Sequence, residues 1–127
     1  MSAQRRLVEI FLGPMACSCS GMPSPAKLEK IDRALKLRRF LEKEQHETFQ
    51  VKTWDLGDES IYEEGLRLLR GHLRDSGEID LADRLAFAVN DATPSIAVDG
   101  KLEWIHDCPE TADFLDRFVT AVKSKPS

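Results

Sequence analysis

Three thiols carry most of the chemistry that this sequence offers. Cys17 and Cys19 stand two positions apart in Phe11-Leu-Gly-Pro-Met-Ala-Cys17-Ser-Cys19-Ser-Gly21, and Cys108 lies far downstream in His106-Asp-Cys108-Pro109. A thiolate, not a thiol, is the nucleophile and the soft ligand. A Cys17–Cys19 disulfide would close a tight ring, and such strained bonds are labile and oxidising. Three sulfurs also suit a trivalent metalloid or a soft metal. Adding His106 to Cys17, Cys19 and Cys108 would complete a three-cysteine, one-histidine zinc set. An iron–sulfur cluster normally takes four cysteines, one more than the chain has. The bland alternatives are an exposed loop imidazole at His106 and a small apolar residue ahead of the last helix at Cys108.

Other chemistry-bearing residues are explained more simply. Gly57, Gly65, Gly71 and Gly77 make no phosphate-loop spacing. Glu63, Glu64, Asp80 and Asp83 fall among arginines on helices and read as solvated faces. Trp54 and Trp104 read as core or rim residues of strands. His46 and His72 fall on polar helix faces without an evident partner.

The elements that must position the thiols follow from hydrophobic period and punctuation. Leu7 to Leu12 is a nearly continuous apolar run, as in a strand buried on both faces. Ser24-Pro25 reads as N-cap and first helical residue, opening a helix from Ala26 to about His46 with Leu28, Ile31, Leu35, Phe40 and Leu41 on its stripe. Glu47 to Leu56 is a second strand carrying Phe49, Val51 and Trp54. Ile61 to about Leu73 is a second helix with Leu66, Leu69 and Leu73 inward, closed by Ser76-Gly77. Ile79 to Val89 is a third, shorter helix. Asn90-Asp91-Ala92-Thr93-Pro94 breaks the chain before a strand at Ser95–Val98, and Asp99-Gly100 is a strong two-residue hairpin signal leading to a return strand at 101–105. Pro109 starts a last helix running to about Val122, with Ala112, Leu115, Phe118, Val119 and Val122 inward.

The order is therefore α/β: β-α-β-α-(α)-β-β-α, with the first βαβ unit right-handed and parallel. With thiols after strand one, Thr-Pro directly before strand three and Asp-Gly in the hairpin, the chain resembles the thioredoxin-like superfamily. The resemblance covers nearly the whole chain and implies one domain over 1–127, with a four-stranded mixed sheet flanked by helices. It also implies a cis-proline at Pro94 facing the redox cysteines, and a Thr93 backbone that pairs with an extended substrate. The geometry of such a sheet brings Cys17, Cys19, Pro94 and Cys108 to one end. The C-x-C spacing departs from the C-x-x-C of the family, and Pro23 and Pro25 push the regular helix start downstream. In this respect arsenic metallochaperones, with a strand, a loop of clustered cysteines, a helix and a proline-led hairpin, are also similar. They draw their thiols from one loop, so Cys108 is not carried over from them.

The expected function is thiol–disulfide exchange, with Cys17 attacking, Cys19 or Cys108 resolving, and Thr93 and Pro94 holding the substrate. The alternatives are a thiolate-based soft-metal or metalloid carrier, and a non-catalytic scaffold with inert thiols. The expected partner is a protein or small-molecule disulfide, with no cofactor and with self-association into a homodimer left open.

The totals agree with this reading. The chain has 127 residues, 42% hydrophobic and 31% charged, an ordinary balance for one domain with one core. The net charge of −4 argues against a nucleic-acid footprint. It is unevenly placed. Residues 1–54 hold ten Lys/Arg against six Asp/Glu (+4), and residues 55–127 hold eight against sixteen (−8). Two differently charged solvated faces explain this, with electrostatic steering of a partner as the sharper reading. Arg5 and Arg6 precede an apolar run, but Glu9 interrupts it and Gly13-Pro14 ends it. It is too short for a signal sequence or a membrane span. A cytoplasmic location is therefore expected, where thiols are reduced, catalytic or ligating more often than structural.

Overall fold

The apolar run at the start becomes strand β1, Arg6–Leu12. It is apolar on both faces because it is a centre strand, hydrogen-bonded to β2 on one side and β3 on the other. The computed structural model describes residues 5–13 and 25–120. After β1 come α1 (Pro25–Glu44), β2 (Phe49–Asp55), α2 (Glu59–Asp75), α3 (Ile79–Asp83), a 3-10 turn (Leu85–Phe87), α4 (Val89–Ala92), β3 (Ser95–Val98), β4 (Lys101–Trp104) and α5 (Thr111–Leu115). The sheet order is β2-β1-β3-β4. β1 and β2 are parallel, in register from Arg6 opposite Phe49 to Leu12 opposite Asp55. β1 and β3 are antiparallel, with Val8 opposite Val98 and Phe11 opposite Ser95. β4 returns antiparallel to β3 with one register shift between Ile96 and Ala97. This mixed four-stranded sheet with helices on both faces is the thioredoxin-like layout.

Strand alternation divides the core in two. Val8, Ile10 and Leu12 pack with Ala34, Leu37 and Leu41 of α1 and with Phe114 of α5. Phe11 faces the other way and joins Trp54, Leu56, Leu66, Leu69, Leu73 and Leu85. On that side α2 lies very close to the sheet at Gly65. A Cβ there would stand 2.7 Å from Leu56 Cδ2 and 3.2 Å from the Trp54 ring. Asp58 caps α2 by accepting from the Ser60 backbone N–H at 3.0 Å and its hydroxyl at 2.8 Å. At the hairpin Asp99 (φ 54°) and Gly100 (φ 86°) are both left-handed, as a two-residue type I′ turn requires. The Asp99 carboxylate also reaches β1, accepting from Leu7 N–H at 3.0 Å and Arg6 Nε at 2.8 Å.

Some elements differ from expectation. In α1 the inward stripe is Ile31, Ala34, Leu37 and Leu41, while Leu28 is exposed. The helix expected over 79–89 is broken into α3 and a 3-10 turn, and residues 90–92, expected as part of a break, belong to α4. The buried positions Ala82, Leu85 and Ala88 recur every three residues, the period of a 3-10 turn. Phe87 is thereby turned outward, 96% exposed. The last helix is α-helical only over Thr111–Leu115 and widens to π-type turns over Asp116–Thr120. Val122 lies outside the described residues. Among the described residues no helix is long and apolar enough to cross a membrane.

Candidate functional site

The strand directions bring distant segments to one rim. β1 ends where β3 begins, since Phe11 pairs with Ser95. β4 ends at the same rim, since Trp104 pairs with Ile96. The first turns of α1 lie against it. At the centre is Thr93-Pro94, joined by a cis peptide bond, with Thr93 fully buried. The Thr93 hydroxyl donates to Val89 O at 2.8 Å, fastening the end of α4. The Ser95 hydroxyl donates to Ala92 O and accepts the His106 N–H at 3.3 Å. Asp107 N–H donates to Pro94 O at 2.8 Å, so the loop after β4 is laced to the chain entering β3.

Side chains complete the lacing. The Lys27 ammonium donates to Thr93 O and lies 3.4 Å from its hydroxyl oxygen. His106 Nδ1 meets the same carbonyl oxygen at 2.9 Å. A carbonyl oxygen only accepts, so Nδ1 carries the hydrogen, and in the neutral ring Nε2 is the acceptor. Lys30 Nζ donates to His106 O at 2.8 Å, and Arg33 Nε donates to Cys108 O at 2.7 Å. Three cations spaced by three along one side of α1 thus grip the rim by its carbonyls. Arg33 also forms an ion pair with Asp107, at 3.4 Å. Burial lowers the Lys27 pKa below that of an ordinary lysine, and the like charge of Lys30 lowers it further, against a smaller opposing pull from Asp91.

Cys108 belongs to the same loop but faces inward. It is 2% exposed, packed in the α1-side core, and its Sγ lies 3.5 Å from Pro109 O. Burial pushes its thiol pKa up to about 12, outweighing the nearby Arg33. At neutral pH it is a protonated core thiol, and a resolving or ligating role would require this loop to open.

Four of the residues singled out by sequence, Thr93, Pro94, His106 and Cys108, are therefore gathered at one rim. Cys17 and Cys19 lie outside the described residues. Among the described residues no group of three His, Cys, Asp or Glu side chains is placed to hold a metal ion. A set built on Cys108 and His106 thus depends on Cys17 and Cys19.

Two groups were missed by sequence reasoning. One is the row Lys27, Lys30 and Arg33, which the sequence reading did not single out. Its i, i+3, i+6 spacing beside the apolar stripe was the available signal. The other corrects the reading of His72 as a histidine without a partner. His72 Nε2 and Glu9 Oε1 are 3.0 Å apart, and Trp54 Nε1 donates to Glu9 Oε2 at 3.2 Å. Glu9 is only 7% exposed, and its pKa is lowered, chiefly by the His72 hydrogen bond. A carboxylate inside a doubly buried strand must have partners. That rule, applied to Glu9, was the signal for this cluster.

No family model and no curated protein matches the chain. Among solved structures, the arsenical resistance operon trans-acting repressor from Bacteroides vulgatus ATCC 8482 is similar at 21% identity. The alignment covers 91% of this chain and 93% of that one, with a TM-score of 0.47.

Proposed function

We propose that the chain carries out thiol–disulfide exchange through Cys17 and Cys19 at the Thr93-Pro94 rim. The observation that carries this reading is where the thiol segment is anchored. It leaves β1 at Gly13, beside the start of β3, and rejoins the chain at Pro25, two residues before the lysine that grips Thr93. In the reaction the Cys17 thiolate attacks one sulfur of a substrate disulfide. A mixed disulfide forms, and the first thiolate leaves and takes up a proton. The Cys19 thiolate then attacks Cys17 Sγ and expels the second. Two protein thiols are oxidised to a disulfide while one substrate disulfide is reduced to two thiols, and an added dithiol restores the protein.

A second reading, a thiolate carrier of a soft metal or metalloid, draws support from His106. Its Nδ1–H on a backbone carbonyl is the arrangement that usually orients a histidine ligating through Nε2.

The test is turnover of hydroxyethyl disulfide with dithiothreitol supplied, in the parent, Cys17→Ser and Cys19→Ser proteins. Loss of turnover in both variants is the expected result. An inactive parent that binds arsenite or zinc at micromolar concentration would favour the second reading instead. Iodoacetamide labelling at pH 8 gives an independent check on Cys108. A thiol of pKa about 12 is ionised in about one molecule in ten thousand at that pH. Cys108 should therefore label far more slowly than Cys17 or Cys19, and comparable rates would mean that its loop opens.

A further inference from the structure

The carbonyls of the rim are already engaged from within. Ala92 O takes the Ser95 hydroxyl, and Thr93 O takes both Lys27 Nζ and His106 Nδ1. Pro94 O takes Asp107 N–H, and Pro94 has no N–H of its own to offer. Further along, His106 O takes Lys30 Nζ and Cys108 O takes Arg33 Nε. An extended polypeptide binds at a sheet through main-chain hydrogen bonds and needs unengaged acceptors there. Thr93 O is where it would need one, because this carbonyl lies just past the last β1–β3 pair, and two side-chain donors use both of its lone pairs. Both donors come from outside the strand, one from α1 and one from the loop after β4. They bridge three segments that an incoming strand would have to separate.

We infer that Lys27 and His106 seal this rim against extended polypeptides, so that its substrates are small disulfides and not disulfides presented by a peptide strand. The inference rests on the thiol–disulfide reading and names its substrate class. Lys27 and His106 act here as specificity-determining residues and take no part in the transfer of electrons.

The experiment compares kcat/KM for hydroxyethyl disulfide and for insulin, with dithiothreitol as reductant, in the parent and in a Lys27→Met/His106→Asn protein. The parent should prefer the small disulfide by at least about tenfold, roughly the worth of one or two hydrogen bonds. The double substitution should shift the ratio of the two kcat/KM values toward insulin by a similar factor. Equal use of both substrates by the parent, or no shift toward insulin in the variant, overturns the sealing. A second readout needs no turnover: the carbonyl carbon-13 signal of Thr93. It should move on Lys27→Met substitution and stay in place when the parent meets millimolar reduced insulin B chain. A shift caused by that peptide in the parent overturns the inference whatever the activity. Silence with both disulfides, together with the expected carbonyl behaviour, removes the thiol–disulfide reading and leaves the sealed rim standing.

Discussion

Glu9 shows how one buried charge can set the pH response of a domain. Its carboxylate is held by His72 and Trp54, with Lys52 adding a weaker attraction, and its pKa lies below the ordinary 4.5. The folded protein therefore keeps this group ionised at pH values where the unfolded chain binds a proton. Its contribution is complete above about pH 4.5 and is lost as pH falls through the lowered folded value. Urea unfolding between pH 3 and 6 should show stability rising with pH, and Glu9→Gln should flatten much of that rise. At neutral pH the same substitution should cost about 1–3 kcal/mol, because it upsets a pair of buried donors. An unchanged slope would assign the pH response to other carboxylates. The sequence displayed Glu9 openly, as the one charge in an apolar run. Its partners were hidden because β1, β2 and α2 meet only in three dimensions. The converse holds for Thr93 and Pro94, whose place before a strand is a local property and could be read directly. Cys17 and Cys19 were legible as a motif, and their arrangement lies outside the described residues.

At the scale of elements, close approach of α2 to the sheet depends on Gly65. A β-branched side chain there would enter space held by Leu56 and Trp54, both nearly fully buried. Gly65→Val should destabilise the fold by about 1–3 kcal/mol, as overpacking does, despite the better helix propensity of any residue over glycine. A urea midpoint equal to that of the parent would mean that α2 can slide outward at little cost. Helices and strands with whole periods of apolar residues were plain in the sequence, and α1, β1 and α2 lie close to where their patterns put them. The stretch 79–92 was not, because apolar residues fill positions 81, 82 and 85 to 89, so that spacings of three and of four are both available there. An α-helix and a 3-10 turn then fit the same few positions, and packing beneath the sheet decides between them. The row Lys27, Lys30 and Arg33 escaped notice for a related reason: cations on a helix look alike in sequence whether water or a carbonyl receives them.

For the molecule as a whole, the strand order leaves β2 and β4 at the two edges of the sheet. β4 is short, but β2 runs for seven residues, long enough to recruit a strand from another copy. Lys52 stands exposed in the middle of β2, its ammonium 4.8 Å from the Trp54 ring centroid. A charge on an edge strand discourages such pairing, and Lys52→Val replaces it with a strong strand former. Sedimentation should show the variant associating at lower concentration than the parent. Identical profiles would mean that this edge is guarded by other means. The central place of β1 carries a further consequence. Its brace to the hairpin joins Arg6 to Asp99, ninety-three positions apart. The middle of the sheet therefore has no second wall until the distal hairpin arrives, and no early fragment of the chain can close the core by itself. Assembly should accordingly be a single late event, slower than in a helical bundle of equal length.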